Sequence, residues 1–82
     1  MTRDDLPHLV ESALRNLGGA PPIVGVARKI WEQHEDSLRA SGDIFFTWQY
    51  DMRWAAQKLR DAHKLAYERQ NGKPVWRLLK ST

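Results

Sequence analysis

There is no cysteine in this sequence, so neither a disulfide framework nor a thiolate metal site can form. No apolar run approaches the ~20 residues that a membrane-spanning helix needs. The opening stretch, MTRDDLPHLV, lacks the basic-then-apolar pattern of a secretory signal. These absences predict a cytoplasmic protein without a membrane partner. Repeats and low-complexity segments are also missing. With 82 residues, the chain is expected to form one domain, residues 1–82, around one modest core. A domain this small without staples must rely on large, well-packed side chains, and four Trp serve that need.

Catalytic motifs are lacking as well. The three histidines, His8, His34 and His63, are far apart and none has HExxH spacing. Glu32, His34, Glu35 and Asp36 crowd together in WEQHED, but on a helix only residues three or four apart share a face. That leaves Glu32 with Glu35 or Asp36, which reads as a solvated acidic surface and not as a metal site. Gly18-Gly19 has neither a GxGxxG nor a GxxxxGK context, so no phosphate loop is indicated. No nucleophile stands beside a base, and no carboxylate pair is evident. The sequence therefore reads as a non-enzyme that needs no cofactor.

What is present is a polarised charge. Residues 1–51 hold five basic and eight acidic side chains, a net of −3, whereas residues 52–82 hold eight basic and two acidic, a net of +6. A basic end of this kind suits a polyanion.

The pattern along the chain predicts three helices and a hairpin. Asp4 or Asp5 can cap a first helix over about residues 5–17, with Pro7 in its first turn and Leu6, Leu9, Val10, Ala13, Leu14 and Leu17 at helical spacing. Gly18-Gly19 ends it, and GGAPP connects to a second helix over about residues 22–39. That helix puts Val26, Ala27, Ile30, Trp31, His34 and Leu38 on one side. ASGD (Ala40 to Asp43) breaks the pattern, and a third helix follows over about residues 46–62, capped by Thr47 or Asp43. The period then changes to that of strands. Leu65 and Tyr67 share one strand, Trp76 and Leu78 the next, and Asn71-Gly72 between them is a strong signal for a two-residue hairpin turn. Pro74 lacks an N–H and marks the second strand as an edge. Helix, helix, helix, hairpin is the order of a winged helix-turn-helix, a mainly α fold with a small β-hairpin as its wing.

The third helix, FFTWQYDMRWAAQKLRDAHK from Phe45 to Lys64, carries five of the eight aromatics in its first half. At 100° per residue, Trp48, Met52, Ala55, Leu59 and Ala62 form one apolar stripe that must face the core. Gln49, Arg53, Gln57, Arg60 and Lys64 lie within about 40° of Arg53 on the opposite side, with Tyr50 beside them. Trp54 sits at the border, in position to pack on Trp31 of the second helix. The outer face has cations and amides but no carboxylate, where an ordinary solvated face mixes signs. Arg and Gln are also the side chains that bind guanine and adenine edges through two hydrogen bonds. Arg69, Lys73 and Arg77 on the wing suit phosphates. The candidate DNA-contacting residues are thus Thr47, Gln49, Tyr50, Arg53, Gln57, Arg60, Arg69, Lys73 and Arg77. The third helix would enter the major groove of double-stranded DNA, and the wing, residues 65–79, would lie on the backbone.

The run FFTWQYDMRWAAQKLRDAHKLAYERQNGKPVWRL resembles the second half of the N-terminal, winged-helix domain of Mrr-type restriction endonucleases. The shared pattern is an aromatic, then Trp-Ala, a Leu four residues later, an Ala-Gly before a strand, and a hairpin with an apolar or aromatic return. Phe46, Trp54-Ala55, Leu59, Ala62 and the strands around Leu65 and Trp76 carry it. The likeness covers residues 44–79 and the first helices only in outline. It implies a DNA-binding module of bacterial type, serving as a transcriptional regulator or accessory factor. That domain precedes a nuclease domain in the family, and none follows Thr82, so the resemblance implies a stand-alone module without cleavage. His63 stands where the family usually has glycine, which predicts a strained or different end to the helix. The rival expectation is a winged helix used for protein contact or homodimerisation without DNA, with the acidic second helix as attachment point for a basic partner.

Overall fold

The structure is a computed structural model and describes residues 2–79. It opens with one turn of 3-10 helix, Arg3–Asp5, in which the Thr2 N–H donates to the Asp5 carboxylate at 2.8 Å. Helix α1 follows directly over Leu6–Leu17, α2 over Ile23–Arg39 and α3 over Ile44–Asp61. Strands β1, Leu65–Gln70, and β2, Lys73–Leu78, form an antiparallel hairpin. This is the winged helix-turn-helix arrangement expected from the sequence. Among the described residues, no helix is long and apolar enough to cross a membrane.

The core lies between the three helices and one face of the hairpin. Leu6, Val10 and Leu14 of α1 meet Val26, Ile30 and Leu38 of α2 and Trp48, Met52 and Leu59 of α3, with Leu65 and Trp76 closing the floor. The helical spacing of these residues accounts for the packing, since each apolar stripe removes its area from water only against the other two. Trp31 stacks on Trp48, with centroids 6.1 Å apart and planes at 11°. Trp54 does not reach Trp31, contrary to expectation. It lies under the Arg3 guanidinium, 4.1 Å from the ring centroid, because position 54 is about 120° round the helix from Trp48 and faces the opening 3-10 turn, whereas Phe45 and Trp48 face Trp31.

Several boundaries differ from the sequence reading. Helix α3 begins at Ile44, so Thr47 lies inside it and is not its cap. Asp43 occupies the cap position, but its backbone is already helical and its side chain makes no cap bond. Asp5 likewise precedes α1 without a side-chain cap bond, its carboxylate being turned back to Thr2. Leu17 remains substantially exposed, and Ala62 is exposed beyond the last turn of α3 while Ala56 is buried in the core. His34 does not sit in a regular helix face: its φ of −133° and ψ of 20° kink α2.

The end of α3 keeps the closure that glycine usually serves, with histidine held in the left-handed position. The Lys64 N–H donates to the Leu59 carbonyl at 2.8 Å and the His63 N–H to that of Arg60 at 3.0 Å. This is a Schellman closure, with His63 in the left-handed position at φ 61°. The hairpin turn is as read: Asn71 and Gly72 both have positive φ, 53° and 78°, the requirement of a type I′ turn. Its register pairs Leu65 with Leu78, Tyr67 with Trp76 and Arg69 with Pro74. Strand β2 is not a bare edge, however. The Trp76 N–H donates to the Pro21 carbonyl at 3.1 Å, and Pro22 bridges Val75. Alternate amides of β2 point away from β1. Pro74 occupies one such position, so its missing N–H leaves the hairpin ladder intact, and Trp76 uses the next to hold the connector between α1 and α2.

Candidate nucleic-acid interface

Helix α3 presents to solvent the face opposite Trp48 and Leu59. Gln49, Tyr50, Arg53, Gln57 and Arg60 are all exposed on it. The hairpin folds back beside this face because Leu65 and Trp76 anchor it in the core. Between helix and wing runs a groove of about 690 Å³, lined by Tyr50, Arg53 and Gln57 on one wall and Tyr67, Glu68, Arg69 and Pro74 on the other. The wing is tied to the helix across this groove. The Tyr67 hydroxyl donates to Gln57 Oε1 at 3.3 Å, and the Arg60 guanidinium lies 4.7 Å from the centre of the Tyr67 ring.

The register divides the wing cations. Residues paired across an antiparallel hairpin share a face, so Arg69 lies with Tyr67 and Trp76 on the side toward α3. Lys73 and Arg77 lie on the other side, as does Glu68. Glu68 accepts from Arg77 Nε at 3.0 Å and lies 2.8 Å from its Nη2, so Arg77 is largely neutralised. Arg69 donates to the Gly72 carbonyl at 3.2 Å, which braces it along the turn. Among the described residues, no carboxylate comes within salt-bridge distance of Arg53, Arg60, Arg69 or Lys73.

Three of the expected contributions change. Thr47 is engaged with its own helix: its hydroxyl donates to Asp51 at 2.8 Å, on a flank well away from Arg53. Lys64 has left the helix and lies 3.9 Å from Glu11 of α1. The outer face is not free of carboxylates, because Asp61 accepts the Gln57 amide at 2.9 Å at the C-terminal end. The acid-free stretch is therefore confined to the N-terminal two-thirds of α3, around Gln49, Tyr50 and Arg53. Sequence reasoning had passed over Phe46 as a site residue, although it lies on this same face and is 82 % exposed. Its angular position, about 20° from Arg53, was the available signal.

A second groove, of about 540 Å³, separates α2 from the start of α3 and is lined by Val24, Ala27, Trp31, Phe45 and Gln49. Glu35 pairs at 2.9 Å with Arg39, whose guanidinium lies over the rings of Trp31 and Phe45 beside this groove, while Glu32 and Asp36 are exposed further round α2. Among the described residues, no group of three or more His, Asp or Glu is placed to hold a metal ion.

Comparison with family models, with curated proteins and with solved structures returns no match, so the reading of this surface rests on its own geometry.

Proposed function

We propose that this chain is a non-catalytic DNA-binding winged helix that lays α3 in the major groove of duplex DNA with its wing against the adjacent backbone. The observation that carries this reading is the meeting of Arg53 on α3 and Arg69 on β1 at one groove, with Tyr50 and Gln57 on the wall of Arg53. Arg53 and Arg69 stand on opposite walls, neither paired to an acid among the described residues, and Glu68, which also lines the groove, is taken up by Arg77, so the surface has the sign and shape for a phosphate-bearing duplex. Arg53 and Gln49 bring the side-chain chemistry of base-edge contacts, whereas Gln57 is engaged at both ends, by Tyr67 and Asp61. A role as transcriptional regulator or accessory factor, and kinship with the Mrr-type N-terminal domain, belong to the same proposal.

The test is fluorescence anisotropy with random and selected duplexes at several salt concentrations. Affinity is expected to fall with salt at a log–log slope near −0.9 for each phosphate contacted. Arg53→Ala is expected to cost about 1–3 kcal/mol, mainly on preferred sequences. Failure to bind any duplex at low salt refutes the reading. The groove between α2 and α3, with Val24 68 % exposed at its rim, favours the second reading of a protein-contact module. Loss of a protein complex on substituting Val24, with DNA indifferent to Arg53→Ala, would establish that one instead.

A further inference from the structure

Phe46 has no role in the helix–wing groove. It lies in the first turn of α3, its N–H donating to the Asp43 carbonyl at 3.0 Å. Its ring is 82 % exposed and meets Phe45 edge-on, with centroids 5.1 Å apart. Phe45 in turn tilts against Trp31 at 6.3 Å, and Trp31 stacks on the buried Trp48 at 6.1 Å. Phe46 is thus the outer rung of an aromatic ladder rooted in the core. Single exposed apolar side chains are common on soluble domains and need no account by themselves. This one differs in being braced from below and in sharing its face with Tyr50, 80 % exposed one turn on, and with Arg53 beyond.

The surroundings select the kind of surface that covers it. An apolar protein partner that covered Phe46 and Tyr50 would have to desolvate Arg53 on the same face, whereas a polyanion gains from it. The start of a helix inserted in the major groove is the part that meets base edges. A phenyl ring offers no hydrogen bond there. The apolar feature on a major-groove base edge is the C5-methyl group of thymine. We propose that Phe46 reads a thymine methyl, setting a sequence preference at the N-terminal end of α3. The inference rests on the DNA-binding reading and adds a specificity residue to it.

The experiment begins with duplexes selected from a random library by the wild-type protein. Each thymine is then replaced singly by uracil, which removes only the methyl group. Affinities are measured by anisotropy for the wild type, Phe46→Ala and Phe46→Leu, with folding checked by circular dichroism. At one or more positions, the wild type is expected to lose about fourfold on uracil substitution, the worth of one buried methyl group. Phe46→Ala should show no such loss at the same position, and Phe46→Leu a reduced one. Equal losses for wild type and Phe46→Ala, or no loss for either, overturn the inference. So does a wild type that binds all duplexes alike, although that outcome leaves DNA binding standing. A Phe46→Ala variant that alters self-association in light scattering, with thymine and uracil equivalent, also overturns it. Absence of salt-sensitive binding to any duplex is a separate result and removes the functional reading itself. Should Phe46→Ala fail to fold, the Phe46→Leu comparison decides.

Discussion

The Tyr67 hydroxyl donates to the side-chain oxygen of Gln57 at 3.3 Å, while the amide of the same glutamine donates to Asp61 at 2.9 Å. One side chain on α3 therefore locks the wing in place and orients the last acid of the helix. Arg60 over the Tyr67 ring adds a second tie. Helix and wing present their cations as a fixed pair of walls.

Tyr67 gives this lock a pH dependence. Burial pushes its phenol above the ordinary value of 10.0, Arg60 opposes this, and Asp61 adds to it. A raised folded-state value favours the protonated form, so its contribution to stability is complete below the unfolded value near 10 and is lost as pH rises through the folded one. Thermal unfolding followed by circular dichroism should show a decline in Tm above pH 10 that Tyr67→Phe makes shallower. Parallel profiles for the two proteins would count against the lock.

His63 tests the helix end. A non-glycine residue at φ 61° carries a steric cost of about 1–2 kcal/mol, partly offset because glycine loses more backbone freedom on folding. His63→Gly is expected to stabilise by up to about 1 kcal/mol, and His63→Val, β-branched, to destabilise. Urea denaturation midpoints measure both. A loss on His63→Gly would show that the imidazole contributes more than its backbone costs.

Leu59 tests the core assignment. It is 6 % exposed and packs among α1, α3 and the hairpin. Leu59→Ala is expected to cost about 2–5 kcal/mol, enough to unfold much of a domain this small. Denaturation by urea, compared with an exposed control such as Gln49→Ala, reads the difference.

The wing cations should separate in DNA binding. Arg69, on the wall toward α3, is expected to matter more than Arg77, which Glu68 already neutralises. Arg69→Ala should weaken binding to all sequences alike and lower the salt slope by about 0.9, one phosphate's worth. Lys73→Ala should do the same with a smaller loss, and Arg77→Ala should change little. Anisotropy across a salt series distinguishes the three, and an Arg77→Ala loss equal to that of Arg69→Ala would contradict the division by register.

Where the sequence was readable, the reason was periodicity. The stripes of Leu6 to Leu14 and of Trp48 to Leu59, and the change to alternation at Leu65, follow from burial alone, and Asn71-Gly72 fixed the hairpin register. What was not readable depended on how the elements pack on one another. Trp54 was expected on Trp31, but α2 meets the flank of α3 that carries Phe45 and Trp48. Thr47 and Asp43 were plausible caps, yet each found a different hydrogen bond or none. In the candidate site, Arg53, Gln49 and Tyr50 were visible as one face, but the neutralisation of Arg77 needed the strand register and Asp61 needed a rotamer. The bond from Trp76 to Pro21 had no local signal, since it joins segments remote in sequence.

That bond also bears on how the domain comes together. The three helices can form through contacts close in sequence, whereas the Pro21–Trp76 clasp closes a loop spanning most of the described chain. Like the contacts of α1 with β2, it closes one of the longest loops in the fold, so it belongs late in folding. Before it forms, the hairpin is a two-stranded ribbon of marginal stability, with the outer amides of β2 unsatisfied and able to pair with another chain. The connector between α1 and α2 thus acts as a guard against misassembly, sealing the strand edge at the moment the fold completes.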